Sequence, residues 1–238
     1  MDASAQPQTS DISELESQLN SGSEKTQLQV MPNLLAWEEA GYQILQNFLL
    51  SRQQQSVPPN YLDGRCYELL FKTQVPDVQA FLQQHFEQGV IPLNSEQGID
   101  YLPLQRLLAQ QEFQSADALT LKKLCELSGP TAVNRKWIYF TEVEQYPIMD
   151  LHTINQLWLA HSEGKFGYSV QRQLWLSVGK NWEALWPKIH WRSGRNWTRY
   201  PHEFTWNLSA PKGHLPLSNQ LRGVQVLNAL LSHPAWTT

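Results

Sequence analysis

Five of the ten tryptophans fall between Trp182 and Trp206, with Lys188, Arg192, Arg195 and Arg199 interleaved among them. An apolar loop, Gly213-His214-Leu215-Pro216-Leu217, follows. Indole faces supply large apolar contact area at low entropy cost, and guanidinium groups pair as a planar fork with carboxylate or phosphate. A ligand that suits both residue types is wide, planar and acidic. Charge is sorted along the same line. Residues 180–238 hold 7 of the 18 basic residues and, of the 22 acidic ones, only Glu183 and Glu203, so this segment carries +5 and the rest of the chain −9.

Within and just before that segment the aromatic residues divide by context. Trp158, Trp175, Trp182 and Trp186 recur at helical spacing and are read as core. Trp191, Trp197, Tyr200 and Phe204 lie in an irregular run from Trp191 to Pro216, broken by Gly194, Pro201, Pro211 and Gly213. A loop of that length inside a domain is usually functional, so these four are candidates for ligand contact. Catalytic templates are missing. No glycine loop shaped to cradle phosphate occurs, and Ser162 beside His161 lacks the context of a triad. His214 alone among the 7 histidines sits in the candidate loop, where a satisfied loop histidine is favoured over an axial haem ligand. His152 and His161 are nine residues apart, on opposite sides of one expected helix, and cannot share a metal. No enzyme activity, zinc site or prosthetic group is expected.

The elements that must position these residues are all helical. Ile12, Leu15 and Leu19 share a face, and Leu34 to Leu49 repeat at three-to-four spacing, with breaks expected at Gly41, Pro58-Pro59, Gly64 and Pro76. Pieces of that length stack as antiparallel pairs, so residues 11–90 read as a small helical-repeat-like bundle behind a disordered tail at 1–10. Residues 91–98, with Pro92 and Gly98, read as a linker, and 99–238 as the ligand-binding domain. There Asp150 is expected to cap a helix through Ser162, Ser169 to cap a second one, and a last helix to run from about Asn219 to Ser232. Trp137 to Thr141 is the one run with strand-like alternation. Composition adds exclusions: 41% hydrophobic and 17% charged residues suit a soluble globular chain. No apolar run of transmembrane length and no signal peptide are read, and Cys66 with Cys125 make no disulfide framework.

Several strings in the second half form an ordered set. They are Ile99-Asp100-Tyr101-Leu102, Ala116-Asp117 with Leu121, Asp150-Leu151 with Ile154 and Leu157-Trp158, and Gly164 to Gln171. Gly213-His214-Leu215-Pro216, Asn219, Leu221-Arg222-Gly223 and His233-Pro234-Ala235-Trp236 complete it. In order and spacing the set closely resembles the Genomes Uncoupled Four family of oxygenic phototrophs, and the N-terminal helices resemble the bundle that cyanobacterial members carry. The resemblance implies a cupped hand of helices whose loop-covered palm binds protoporphyrin IX and magnesium protoporphyrin IX. It implies a non-enzymatic accessory protein that stimulates magnesium chelatase in chlorophyll biosynthesis, with the large porphyrin-binding subunit of that enzyme as partner. On this resemblance Phe140 lines the porphyrin, His214, Leu215, Pro216 and Leu217 belong to the covering loop, and Arg222 pairs a propionate. Asn219 is the candidate contact for porphyrin-bound magnesium, since a hard cation favours oxygen, although an asparagine there serves equally as a helix cap. Tyr200 stands where relatives often carry tryptophan. The chain stops two residues past Trp236, so the phosphorylated tail of plant members is not expected.

Two rival readings of the same residues are a single-stranded nucleic-acid-binding module, in which rings stack bases and arginines track phosphate, and a protein-interaction scaffold. A pI of about 6.0 argues against a nucleic-acid partner. The expected location is cytoplasmic, in part peripheral to photosynthetic membranes.

Overall fold

Helices make up nearly all the regular structure, and the all-α expectation holds. The computed structural model describes residues 9–217 and 224–237, and the chain divides into two units, Met1–Val90 and Ile91–Thr238.

The first unit comprises α1 (Thr9–Ser21), α2 (Glu24–Leu34), α3 (Glu38–Gln54), α4 (Tyr61–Thr73) and α5 (Pro76–His85). Leu19, Met31, Leu34, Leu45 and Leu70 are fully buried between them. Local chemistry sets the helix starts. The Ser23 hydroxyl accepts the Thr26 amide at 3.2 Å, Asn60 forms a capping box with Asp63, and Pro76 opens α5 where its missing N–H costs nothing. Arg52 then grips Asp63 with two bonds of 2.7 Å, joining α3 to α4. Two expected breaks are corrected: Gly41 and Gly64 lie inside α3 and α4. Gly41 serves packing instead, because a Cβ there would stand 1.7 Å from the Leu34 carbonyl oxygen. The turn falls three residues earlier, at Glu38 with φ 47°. Of the expected tail, residues 1–8 lie outside the described residues, and Thr9 and Ser10 begin α1.

The second unit contains α6 (Leu102–Ala109), α7 (Phe113–Ser128), α8 (Pro130–Arg135), α9 (Phe140–Val143) and α10 (Ile148–Ala160). After these come α11 (Tyr168–Ser177), α12 (Trp182–Lys188), an antiparallel hairpin of β1 (Arg192–Ser193) and β2 (Asn196–Trp197), and α13 (Gln225–Ser232). The strand-like run at Trp137 to Thr141 instead leads into α9. α10 forms the hub: Leu151, Ile154, Leu157 and Trp158 are all fully buried. Trp158 stacks on Phe113 at 6.0 Å, and its indole N–H donates to the Thr120 hydroxyl at 3.0 Å.

The stretch read as a linker groups with the second unit. Ile91 is buried and its amide donates to the Gln105 side chain at 3.2 Å, while the Asn94 carbonyl accepts from the Thr153 hydroxyl at 2.7 Å. Asp150 holds the rest. It is not the helix cap, which is Pro147, but a fully buried carboxylate in the first turn of α10. It accepts from the Ser95 hydroxyl at 2.5 Å, the Glu96 amide at 2.9 Å and the Tyr101 hydroxyl at 2.8 Å. Burial, then the nearby Asp150 carboxylate, pushes the Tyr101 hydroxyl far above its ordinary range, so it remains a donor. Ser169 is likewise no cap: Gly167 precedes α11, and the Ser169 amide donates to the Asn155 side chain at 2.9 Å. Asp150→Ala should cost about 2 to 3 kcal/mol by taking the acceptor from three donors, the buried Tyr101 hydroxyl among them, read as a lowered denaturant midpoint, and Asp150→Asn should recover part of it.

Candidate functional site

A groove of about 600 Å³ opens in the second unit between α9, α12 and α13. Phe140 and Trp182 are its aromatic walls, and Val224, Ala229 and Pro234 extend the apolar lining. Glu144, Gln225, Asn228, Ser232 and His233 supply polar groups. The pattern of α13 explains this wall. Val226, Leu227, Leu230 and Leu231 turn one stripe into the core, which leaves Gln225, Asn228, Ala229 and Ser232, at i, i+3, i+4 and i+7, on the opposite stripe. Small and amide side chains there keep the groove open without charging it.

Phe140, 38% exposed, is set by a clasp at its own helix start. The Arg135 guanidinium lies 4.3 Å from the Trp137 ring centroid and 4.4 Å from that of Tyr139, and it forks onto Glu142 at 2.9 and 2.6 Å. Glu142 in turn accepts the Tyr139 amide at 2.7 Å. The residue beside Tyr139 is thereby held at the groove mouth.

Trp182 belongs to a ladder of indoles. It stacks on Trp175 at 4.8 Å and on Trp186 at 5.1 Å; Trp186 stacks on Trp191 at 5.7 Å with planes 7° apart and meets Trp197 at 5.5 Å. The ladder runs from the groove to the hairpin, where Arg192 sits 5.5 Å from the Trp197 centroid and pairs with Glu183. Trp197 is 48% exposed and Tyr200 53%, and Lys188, Arg195 and Arg199 are exposed as well. Of the predicted contacts, then, Phe140, Trp197 and Tyr200 present ring surface.

The others are interior. Trp191 is buried and donates its indole N–H to the His214 carbonyl at 2.8 Å, and Phe204 is buried 5.3 Å from the His214 ring. The loop expected to touch ligand is itself packed: His214, Leu215 and Pro216 are buried. Gly213 is required where it stands, with φ 79° and a Cβ position 2.7 Å from Leu174. Gln171 donates to the Gly213 and Pro216 carbonyls at 3.0 and 2.8 Å, and the Gly167 amide donates to the Leu215 carbonyl at 3.0 Å. At His214, Nε2 accepts the Thr205 amide at 3.2 Å, so the proton is on Nδ1 and donates to the Ile189 carbonyl at 2.6 Å. Burial pushes its pKa down, keeping the ring neutral. Neither nitrogen is free to bind metal. The loop is a buried brace, because its carbonyls and ring nitrogens are consumed by neighbours that a linear pattern does not reveal. Leu217 is half-buried, and Asn219 and Arg222 lie outside the described residues.

Two residues escaped sequence reasoning. Trp182 was assigned to the core by its spacing, yet it is half-buried and lines the groove. Asp117, buried on α7, accepts the Leu217 amide at 2.6 Å. Burial lifts its pKa from 3.8 to about 7, against the opposing effect of that hydrogen bond. The sign follows from linkage. An acid whose folded pKa is raised binds its proton more tightly when folded, so its contribution favours folding below the unfolded value and is lost as pH rises through about 7. The wild-type denaturant midpoint should therefore fall between pH 5 and pH 8. Asp117→Asn, which keeps the acceptor without the charge, should flatten that fall.

Comparison with known proteins bears on this arrangement. A family model described as GUN4-like matches residues 94–234, and one described as an ARM-like repeat domain, GUN4-N terminal, matches residues 3–87. A "Ycf53-like protein" of Synechocystis sp. is 51% identical over 229 residues, covering 95% of this chain and 97% of that protein. The "Tetrapyrrole-binding protein, chloroplastic" of Arabidopsis thaliana is 42% identical over 144 residues, 57% of this chain and 54% of that one. The solved structure of GUN4 from Chlamydomonas reinhardtii superposes with a TM-score of 0.58 at 41% identity, covering 62% of this chain and 95% of its own. With both units matched in order, the chain belongs to the GUN4 (Genomes Uncoupled Four) family, in its cyanobacterial form with an ARM-like repeat unit ahead of the GUN4 domain.

Proposed function

We propose that this protein binds protoporphyrin IX and magnesium protoporphyrin IX without transforming them, and stimulates magnesium chelatase by exchanging substrate or product with its large porphyrin-binding subunit. One observation carries the reading: an aromatic-walled groove whose Trp182 is stacked, through the buried Trp186, to the exposed Trp197 beneath Arg192. Flat apolar faces beside guanidinium groups suit a planar dicarboxylate. The name of the Arabidopsis relative supports the ligand class. Burying about 300 to 400 Å² of macrocycle contributes roughly 8 to 10 kcal/mol gross, much of it offset by lost freedom on association, so affinity near micromolar is expected. The groove lies in the second unit, leaving the ARM-like unit for docking or stability. We place the protein in the cytoplasm, in part peripheral to photosynthetic membranes. No helix among the described residues is long and apolar enough to cross a bilayer.

Titrating protoporphyrin IX and an oligonucleotide against wild type and Arg222→Ala at two salt concentrations tests the reading. Arg222 precedes Val224 of the groove by two residues, and its loss should weaken porphyrin binding by about 1 to 3 kcal/mol, less at high salt. Strong oligonucleotide binding that falls log-linearly with salt, with porphyrin affinity indifferent to the substitution, would support the nucleic-acid alternative instead. Magnesium porphyrin formed by the purified chain alone would overturn the non-enzymatic role.

A further inference from the structure

We infer that the stacked tryptophans form an electron path: a tetrapyrrole excited by light in the groove draws an electron from Trp182, and the vacancy moves through Trp186 to Trp197 at the surface. The inference rests on the tetrapyrrole reading above, because the bound macrocycle is the light absorber.

Indole gives up a single electron more readily than phenylalanine or any aliphatic side chain, and transfer between rings falls off steeply with distance. Rings in contact are what a path needs. Trp182 lines the groove and stacks on Trp186 at 5.1 Å, and Trp186 meets Trp197 at 5.5 Å. Trp186 and Trp191 are both buried and stack at 5.7 Å with planes 7° apart, so a positive charge arriving there is shared by two rings. The His214 carbonyl, 2.8 Å from the Trp191 nitrogen, steadies that charge but is too weak a base to keep the proton. The two ends of the ladder differ. Trp175 stacks on Trp182 at 4.8 Å, but the Lys180 ammonium stands 5.4 Å from its ring centroid, and its buried N–H has no acceptor among the described residues. A positive charge on Trp175 would face a cation with nothing to take its proton. Trp197 is 48% exposed, so water takes the proton there. Arg192, 5.5 Å from the Trp197 centroid and paired with Glu183, opposes a radical cation on that ring but not the neutral radical. Proton loss therefore traps the vacancy at Trp197.

The electrons balance without a further reactant. One electron passes from Trp182 to the excited macrocycle, giving a macrocycle radical anion and a Trp182 radical cation. Trp186 then reduces Trp182, Trp197 reduces Trp186, and the Trp197 radical cation releases its indole proton to water. The radical anion later returns its electron while Trp197 regains a proton from water. No bond between heavy atoms forms or breaks, and the absorbed light ends as heat.

Flash photolysis of the full chain at saturating protoporphyrin IX tests this, in oxygen-free buffer because dissolved oxygen would take the electron from the radical anion. Wild type should show the porphyrin radical anion and a neutral tryptophanyl radical that decay together. Trp186→Phe keeps a ring in the stack but breaks the path, and Trp197→Phe removes its end; each should lose the neutral radical, leaving a shorter-lived radical anion. Trp175→Phe should leave the neutral radical in place. The exposed Trp197 keeps the test usable if circular dichroism shows the buried substitution misfolded. A neutral radical that persists in folded Trp186→Phe or in Trp197→Phe overturns the inference, as does porphyrin-loaded wild type that forms no tryptophanyl radical; both leave the tetrapyrrole reading standing. Failure of wild type to bind protoporphyrin IX overturns both.

Discussion

Removing both aromatic walls of the groove, Phe140→Ala together with Trp182→Ala, is expected to weaken protoporphyrin IX binding by about 3 to 4 kcal/mol, a few hundredfold. Each ring alone should cost somewhat more than half of that, since each offers one face to an apolar ligand. The two walls come from different elements, α9 and α12, and shape one groove. Their combined effect should therefore fall somewhat short of additive, as expected for residues that share a partner. Salt should change these losses little, in contrast to Arg222→Ala. Soret absorbance is the proper readout, because Trp182 itself contributes to indole fluorescence. Trp182 also sits between Trp175 and Trp186 in the ladder, so circular dichroism must show the variant folded. A folded double variant that binds within twofold of wild type would move the site away from this groove, towards Trp197 and Tyr200.

Gly41→Ala should be the most damaging single methyl that can be added to the first unit. The new Cβ would lie 1.7 Å from the Leu34 oxygen and 2.7 Å from its carbonyl carbon, both backbone atoms at the end of α2, so no side chain can rotate away. α3 must shift as a whole and leave Leu34 and Leu45, both fully buried, imperfectly packed. Overpacking of that kind costs about 3 kcal/mol or more, a large share of the stability of a small helical unit. Thermal unfolding should show an early transition confined to the first unit, while porphyrin affinity stays near wild type. Loss of binding in step with that transition would mean that the groove depends on the N-terminal helices.

The helices themselves were legible because their causes are local. Leu151, Ile154, Leu157 and Trp158 recur at helical spacing, and all four are buried on one side of α10. Pro76 opens α5, and Asn181 caps α12 through the Ala184 amide at 3.2 Å. Motif order was enough to reach the family, and the clustering of tryptophan with arginine marked the right half of the chain. Burial was a different matter, because periodicity reports which residues share a face and not whether another element covers it. Trp182 and Trp191 show this as an exchanged pair. Trp182 has core-like spacing, yet it opens a seven-residue helix beside the small and amide stripe of α13, so part of its ring stays accessible. Trp191 follows no period, yet Trp186 stacks on its face and the His214 carbonyl takes its N–H. Asp150 repeats the lesson for polar groups. Sequence marks a carboxylate near a helix start, which the helix dipole favours. Only the return of Ser95, Glu96 and Tyr101 across some fifty residues of chain makes it the buried acceptor that ties the 91–98 stretch into the second unit. Local spacing determined the elements and the kind of ligand they suit. Which rings meet that ligand was decided by long-range packing, since an aromatic side chain gains as much from covering another indole as from covering a porphyrin.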